Sequence, residues 1–193
     1  ELPVEFTGDG AGISPPLEWS GAPAATQAFA VIMHHVDPEG RTKWYWTLYN
    51  LPAEQRALPA NAQGIGVLGN NGINRRPGYA PPHSKGPGAK SYTLTLYALS
   101  APLRLSVPPA EVNREVLLQA MQGLVLAEAE LKFVSTPRGT RERGRANDQA
   151  TPCAGMPFRC DAGGAGRRGG AAAQLCGHHG RGAGVGGHLG ADG

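Results

Sequence analysis

The chain has 193 residues and a formal charge of +3, long enough for one domain with an extension, and it lacks the run of about 18 apolar residues that a membrane-crossing helix needs. Composition changes near Pro137: of the 56 residues beyond it 16 are Gly, the basic residues are all Arg, and no apolar periodicity survives. The first 137 residues carry 10 Lys and Arg against 11 Asp and Glu, and the remainder 8 Arg against 4 acids, so the folded part is nearly neutral and its charge excludes a nucleic-acid-binding domain.

Strands are expected at Val4 to Thr7, Ala28 to His35, Trp44 to Leu51, Tyr92 to Leu99 and Ala129 to Thr136, where β-branched and aromatic residues gather between turn signals. The second and third are apolar almost throughout, as strands covered on both faces are. In the fourth, Tyr92, Leu94, Leu96 and Ala98 alternate with Thr93, Thr95, Tyr97 and Leu99, which gives one buried and one mixed face. One helix is expected over Asn113 to Gln122, with Asn113 as N-cap, Val116, Leu117, Ala120 and Met121 on one face, and Gly123 past its end. Pro59 to Gly88 has no clear element and is rich in Gly, Pro and Asn; a long loop inside a compact domain is where binding chemistry is sought.

The tail, residues 138–193, is expected to be disordered, since its Gly, Ala and Arg content cannot bury enough apolar surface to offset ordering entropy. Those residues have G/C-rich codons, so the tail reads as a frameshifted or otherwise non-native extension. Its Cys153, Cys160, Cys176, His178, His179 and His188 lack the paired short spacings of a zinc site, so no metal is expected. No cofactor is expected either. Gly64, Gly66 and Gly69 satisfy G-x-G-x-x-G, but Asn70-Asn71-Gly72 and Pro77-Gly78 supply turns where a dinucleotide site needs a helix N-terminus. The absence of Met at Glu1 suggests a removed leader or a trimmed sequence, and leaves open whether the protein is cytoplasmic or exported.

Three blocks, in order, carry a resemblance. Thr7-Gly8-Asp9-Gly10 precedes Ile13-Ser14-Pro15-Pro16-Leu17-Glu18-Trp19. Asp37-Pro38-Glu39-Gly40 precedes Trp44-Tyr45-Trp46 and Asn50-Leu51-Pro52. Gly78-Tyr79-Ala80-Pro81-Pro82 precedes the strand from Tyr92 to Leu99, and Glu115 to Gly123 and Ala127 to Leu131 follow as a late helix and strand. Together these resemble the phosphatidylethanolamine-binding protein family, which includes Raf kinase inhibitor protein and bacterial relatives. The resemblance implies an all-β fold, a two-sheet antiparallel Greek-key sandwich with one C-terminal helix over residues 1–137, and a small anion-accepting pocket at one end.

By that resemblance the pocket positions are Asp37, Pro38, Trp46, Tyr79, Pro81, Pro82 and Tyr92. The family's histidine in W-x-H-W falls on Tyr45, and the H-R of its H-R-Y on Lys90-Ser91. Tyr45 as a hydrogen-bond donor and Lys90 as a cation are expected to replace the two imidazoles. Asp37 would itself repel an anion, so its expected task is to orient donors or bind an amine. His34, His35 and His83 are further candidates, although His34 and His35, adjacent on a strand, point to opposite faces.

The expected function is non-enzymatic binding of a small anionic, phosphate-bearing ligand, for no nucleophile-base-orienter set and no spaced carboxylate pair occurs. Two alternatives stand beside it. One is inhibition of a kinase or protease through a protein partner. The other is an enzyme using Asp37 with one of the three histidines as acid and base.

Overall fold

In the computed structural model, residues 1–83 and 88–136 and the backbone of 158–161 are described. Eight strands form two sheets: β1 (Leu17–Ser20), β2 (Ala28–Val36), β3 (Thr42–Pro52), β4 (Ala57–Leu58), β5 (Val67–Leu68), β6 (Lys90–Leu99), β7 (Val125–Ser135) and β8 (Phe158–Asp161). The larger sheet is antiparallel in the order β5-β3-β2-β6-β7, and the smaller runs β4-β1-β8. A single α-helix, α1 (Arg114–Ala120), lies between β6 and β7.

The alternation read from the sequence divides the core. Phe29, Val31 and Met33 of β2 and Tyr92, Leu94, Leu96 and Ala98 of β6 meet Leu17 and Trp19 of β1 between the two sheets. Ala28, Ala30 and Ile32, on the opposite face of β2, pack with Leu99, Leu117 and Met121 beneath α1. Both faces of the large sheet are thus covered, which is why β2 and β3 are apolar nearly throughout. The helix starts where the Asn113 side chain accepts a hydrogen bond from the Val116 amide at 2.9 Å, and Gly123 follows its end at φ +76°.

Two bulges in β3 set the side-chain directions. Met33 faces Trp46 and His34 faces Trp44, so Tyr45 has no register partner. The extra residue lets Tyr45 and Trp46 both enter the inter-sheet core, although neighbours on a regular strand would point apart. Further along, Asn50 adopts φ +53° beside the second shift. Its amide donates to the Leu103 carbonyl at 2.9 Å and its side-chain oxygen accepts from the Leu103 amide at 2.7 Å, replacing a stretch of backbone pairing.

Several expectations are corrected. Val4 to Thr7 is not a strand: Val4–Phe6 forms a single 3₁₀ turn, closed by the Phe6 amide on the Pro3 carbonyl at 3.0 Å. The last strand of the large sheet begins at Val125, four residues before the expected Ala129. The sandwich is not wholly antiparallel, because β8 pairs in parallel with β1 from Leu17–Phe158 to Ser20–Asp161. The expectation of a disordered tail falls on residues 138–193, which, apart from the backbone of 158–161, lie outside the described residues, Cys153, Cys176 and the three tail histidines with them.

Candidate functional site

At one end of the large sheet β2 stops while β3 and β6 begin, and antiparallel pairing brings those ends side by side. His35 faces Lys43, Tyr92 faces Phe133 and Lys90 faces Ser135. Residues opposite each other share a face, so His35, Lys43 and, two positions on, Tyr45 share the inter-sheet face with Lys90 and Tyr92. The rings meet there: Tyr92 lies 5.1 Å from Tyr45, 5.3 Å from His35 and 5.8 Å from Phe133, centroid to centroid. Of the adjacent histidines, His35 is the one on this face. His34 lies on the other face, where burial and the nearby Arg114 lower its pKa, and its Nδ1 is buried without a partner.

Asp37 sits just beyond β2, 6% exposed. One carboxylate oxygen accepts from the Arg41 amide at 2.8 Å; the other accepts from Arg41 Nε at 3.0 Å and lies 3.3 Å from Lys43 Nζ. Burial of the carboxyl opposes ionisation, but the Arg41 amide, the Arg41 guanidinium and Lys43 outweigh it and hold the pKa at about 2. The repulsion expected of Asp37 toward an anion is therefore offset by two cations. Pro38, next along, is exposed at the tip of the turn.

The long loop supplies a wall. The Ala80 amide donates to the Tyr45 carbonyl at 2.7 Å, the Gly8 amide to the Pro82 carbonyl at 2.8 Å, and the Tyr79 hydroxyl to the Phe6 carbonyl at 2.6 Å. Pro81 and Pro82 are thereby held against the N-terminal segment, where a Cβ on Gly8 would lie 2.5 Å from the Cβ of His83. His83 is half exposed, with Nδ1 3.4 Å from the Asp9 carboxylate. Loop 69–78 is organised by Asn71, 1% exposed, which donates to the Arg76 and Gly78 carbonyls and accepts from the Ile73 and Asn74 amides.

The residues singled out from the sequence separate into two groups. Tyr45, Lys90 and Tyr92 share one face, with Asp37 at its border. Trp46 is fully buried in the core against Tyr79 at 5.7 Å, and the Tyr79 hydroxyl is already committed to Phe6, so both support the wall. Burial pushes the Tyr79 and Tyr92 hydroxyls well above the ordinary tyrosine range, Tyr92 further so through its hydrogen bond with Tyr45; both stay protonated. Arg41, Lys43 and Phe133 were not singled out from the sequence. Arg41, four residues after Asp37 in a D-P turn, was the one legible signal; Lys43 and Phe133 depend on strand register. A separate shallow cleft lies between β1 and the β6–β7 pair, lined mainly by Trp19, Phe29, Leu96, Ala98 and Ala129. Among the described residues that line it, Glu128 is the charged one.

The fold and the ordered blocks define an all-β sandwich of the phosphatidylethanolamine-binding type. The family model described as phosphatidylethanolamine-binding protein matches residues 1–136, and the chain belongs to that family. It is 33% identical over 134 residues to a UPF0098 protein of Methanothermobacter thermautotrophicus, covering 67% of this chain and 87% of that one. A UPF0098 protein of Chlamydia muridarum is 36% identical over 137 residues, with the same coverage. Among solved structures, a phosphatidylethanolamine-binding protein homolog from Chlamydia trachomatis aligns with a TM-score of 0.62 at 32% identity, over 69% of this chain and 88% of that one. YbcL of Escherichia coli aligns with a TM-score of 0.62 at 26% identity, over 72% and 92%. Among the described residues no helix is long and apolar enough to cross a membrane.

Proposed function

We propose that this protein binds a small anionic ligand, of the phosphate or head-group kind, at the face shared by Tyr45, Lys90 and Tyr92. One observation carries the reading: Tyr45, Lys90 and Tyr92 bring hydroxyl donors and a cation to one face, while the described carboxylate beside them, Asp37, is held by Arg41 and Lys43. A phenol hydroxyl and an ammonium both donate to an oxyanion. Aromatic stacking and the proline-bearing wall hold these donors in place before a ligand arrives, which lowers the ordering cost of binding.

Binding is favoured over catalysis because the Asp37 carboxylate bonds to Arg41 and Lys43 and, among the described residues, to no histidine, so the pair of Asp37 with His34, His35 or His83 that an enzyme reading needs is not assembled. Inhibition of a partner enzyme is a second activity that such a binding protein could carry, and no described contact favours it. Isothermal titration of the full chain with phosphoethanolamine, inorganic phosphate and acetate tests the proposal. Saturable binding that weakens at least tenfold in Lys90→Ala and in Tyr92→Phe, at unchanged melting temperature, is expected. Equal binding by the wild type and both variants overturns the placement, and no binding of any of the three overturns the function.

A further inference from the structure

His35 is the group at this face whose chemistry is unspent. The residue is 9% exposed and its Nδ1 lies 2.8 Å from the Ser91 carbonyl. A carbonyl only accepts, so Nδ1 carries a hydrogen and donates it, and in the neutral ring Nε2 is left with a lone pair. Among the described residues Nε2 makes no hydrogen bond, and it is not one of the buried unpaired nitrogens, which are those of Trp19, His34, Trp46 and Arg114. It belongs to a ring whose centroid lies 5.3 Å from that of Tyr92. We propose that His35 grips the ligand: Nε2 takes up one proton when an anion binds and donates it as a charge-assisted hydrogen bond to a phosphate, sulfate or carboxylate oxygen. This rests on the anion-binding reading above and adds to it a proton that is bound together with the ligand.

The groups that face His35 come from three strands. Lys43, opposite in register on β3, brings a positive charge, which Asp37 partly neutralises. Asp37, two residues after His35 and just past the end of β2, has its oxygens taken by Arg41 and Lys43. From β6 come the Ser91 carbonyl, the neutral Tyr92 ring and, on the Tyr92 face, the Lys90 ammonium; Phe133 of β7 lies behind Tyr92 and carries no charge. Tyr45 of β3 meets Tyr92 edge to face, its ring centroid 5.1 Å away. His34, on the same strand, lies on the opposite face with Arg114 and Glu130. Among the described residues the carboxylate nearest along the chain, Asp37, is already held by Arg41 and Lys43, so a bound anion supplies the negative charge that an imidazolium pairs with.

Sulfate is the probe, because it stays a dianion across the range from about pH 5.5 to about 8 in which an imidazole titrates. Titration calorimetry on the full chain is expected to show affinity falling as pH rises, by up to about tenfold per pH unit once the free imidazole is neutral. Uptake of up to one proton per sulfate is expected from the dependence on buffer ionisation enthalpy. His35→Asn keeps an N–H donor near the Ser91 carbonyl and removes Nε2; it is expected to lose the pH slope at an unchanged melting temperature. Acetate is expected to share the slope, and inorganic phosphate binding without acetate binding would restrict the ligand to tetrahedral anions. Wild-type binding without a pH slope, or a slope that persists in His35→Asn, overturns the role of His35 and leaves the anion site standing. Absence of sulfate, phosphate and acetate binding at every pH overturns both. If His35→Asn does not fold, the imidazole ¹⁵N resonances of the wild type decide: a shift of Nε2 toward the protonated value on adding sulfate is expected, and an unmoved Nε2 at saturation refutes the proposal.

Discussion

Replacing Asn71 by Ala tests whether one buried side chain holds the loop that carries Tyr79, Pro81 and Pro82. Asn71 is 1% exposed; its amide donates to the Arg76 carbonyl at 2.8 Å and to the Gly78 carbonyl at 3.3 Å, and its oxygen accepts from the Ile73 and Asn74 amides at 3.0 and 2.9 Å. A typical buried hydrogen bond is worth about 1 kcal/mol net, and a stranded buried donor costs about 1–3 kcal/mol. Water can reach part of this loop, so the four bonds together correspond to about 2–3 kcal/mol. For a domain of this size that is roughly 6–10 °C in Tm. Asn71→Asp keeps the two acceptor contacts but sets a carboxylate against two carbonyls, and is expected to destabilise at neutral pH by at least as much. Urea denaturation of the full chain, followed by tryptophan fluorescence, reads both variants. A loss below about 0.5 kcal/mol for Asn71→Ala, within the range of ordinary surface changes, would refute the claim that Asn71 organises the loop.

Three further outcomes follow from other parts of the structure. Leu117→Ala removes a fully buried side chain between α1 and the sheet and should cost about 2–5 kcal/mol in the same denaturation assay, without changing affinity for a small anion. Gly72→Ala should lower stability and blue-shift or quench the indole emission, since its Cβ would sit 2.8 Å from the Trp44 ring. The Asp37 carboxyl titrates at about 2 against a reference of 3.8; a depressed carboxylate contributes stability that is present above its unfolded pKa and lost as pH falls through the folded one. Stability attributable to Asp37 should therefore vanish between about pH 4 and pH 2, and an acid titration of Asp37→Asn should lack that component.

The long elements were legible because pattern and packing agree. The alternation of Tyr92, Leu94, Leu96 and Ala98 fixes which face of β6 lies between the sheets, and Asn113 and Gly123 mark the ends of α1. Val4 to Thr7 has strand-like residues, but Pro3 leads them into a 3₁₀ turn, a case of local closure overriding propensity. β4 and β5 have two residues each, too few for any periodicity. β1 follows Pro15-Pro16 and shows only two inward residues, Leu17 and Trp19. In the site, the rule that His34 and His35 point apart was legible, while the choice between them required the bulge at Tyr45 and the pairing of β2 with β6. That bulge also places Tyr45 and Trp46 on one side, which strict alternation forbids. The salt bridges of Asp37 depend on the turn from Asp37 to Arg41 bringing Lys43 back beside it, a closure that residue types alone do not specify.

Amide NMR of the full chain during titration with phosphoethanolamine reads whether the donor-lined end of the large sheet is an anion site. Saturable shifts confined to the residues around His35, Lys43, Tyr45, Lys90 and Tyr92 are the predicted result. Shifts centred instead on the Trp19 and Phe29 cleft, or none at saturating concentration, would contradict it.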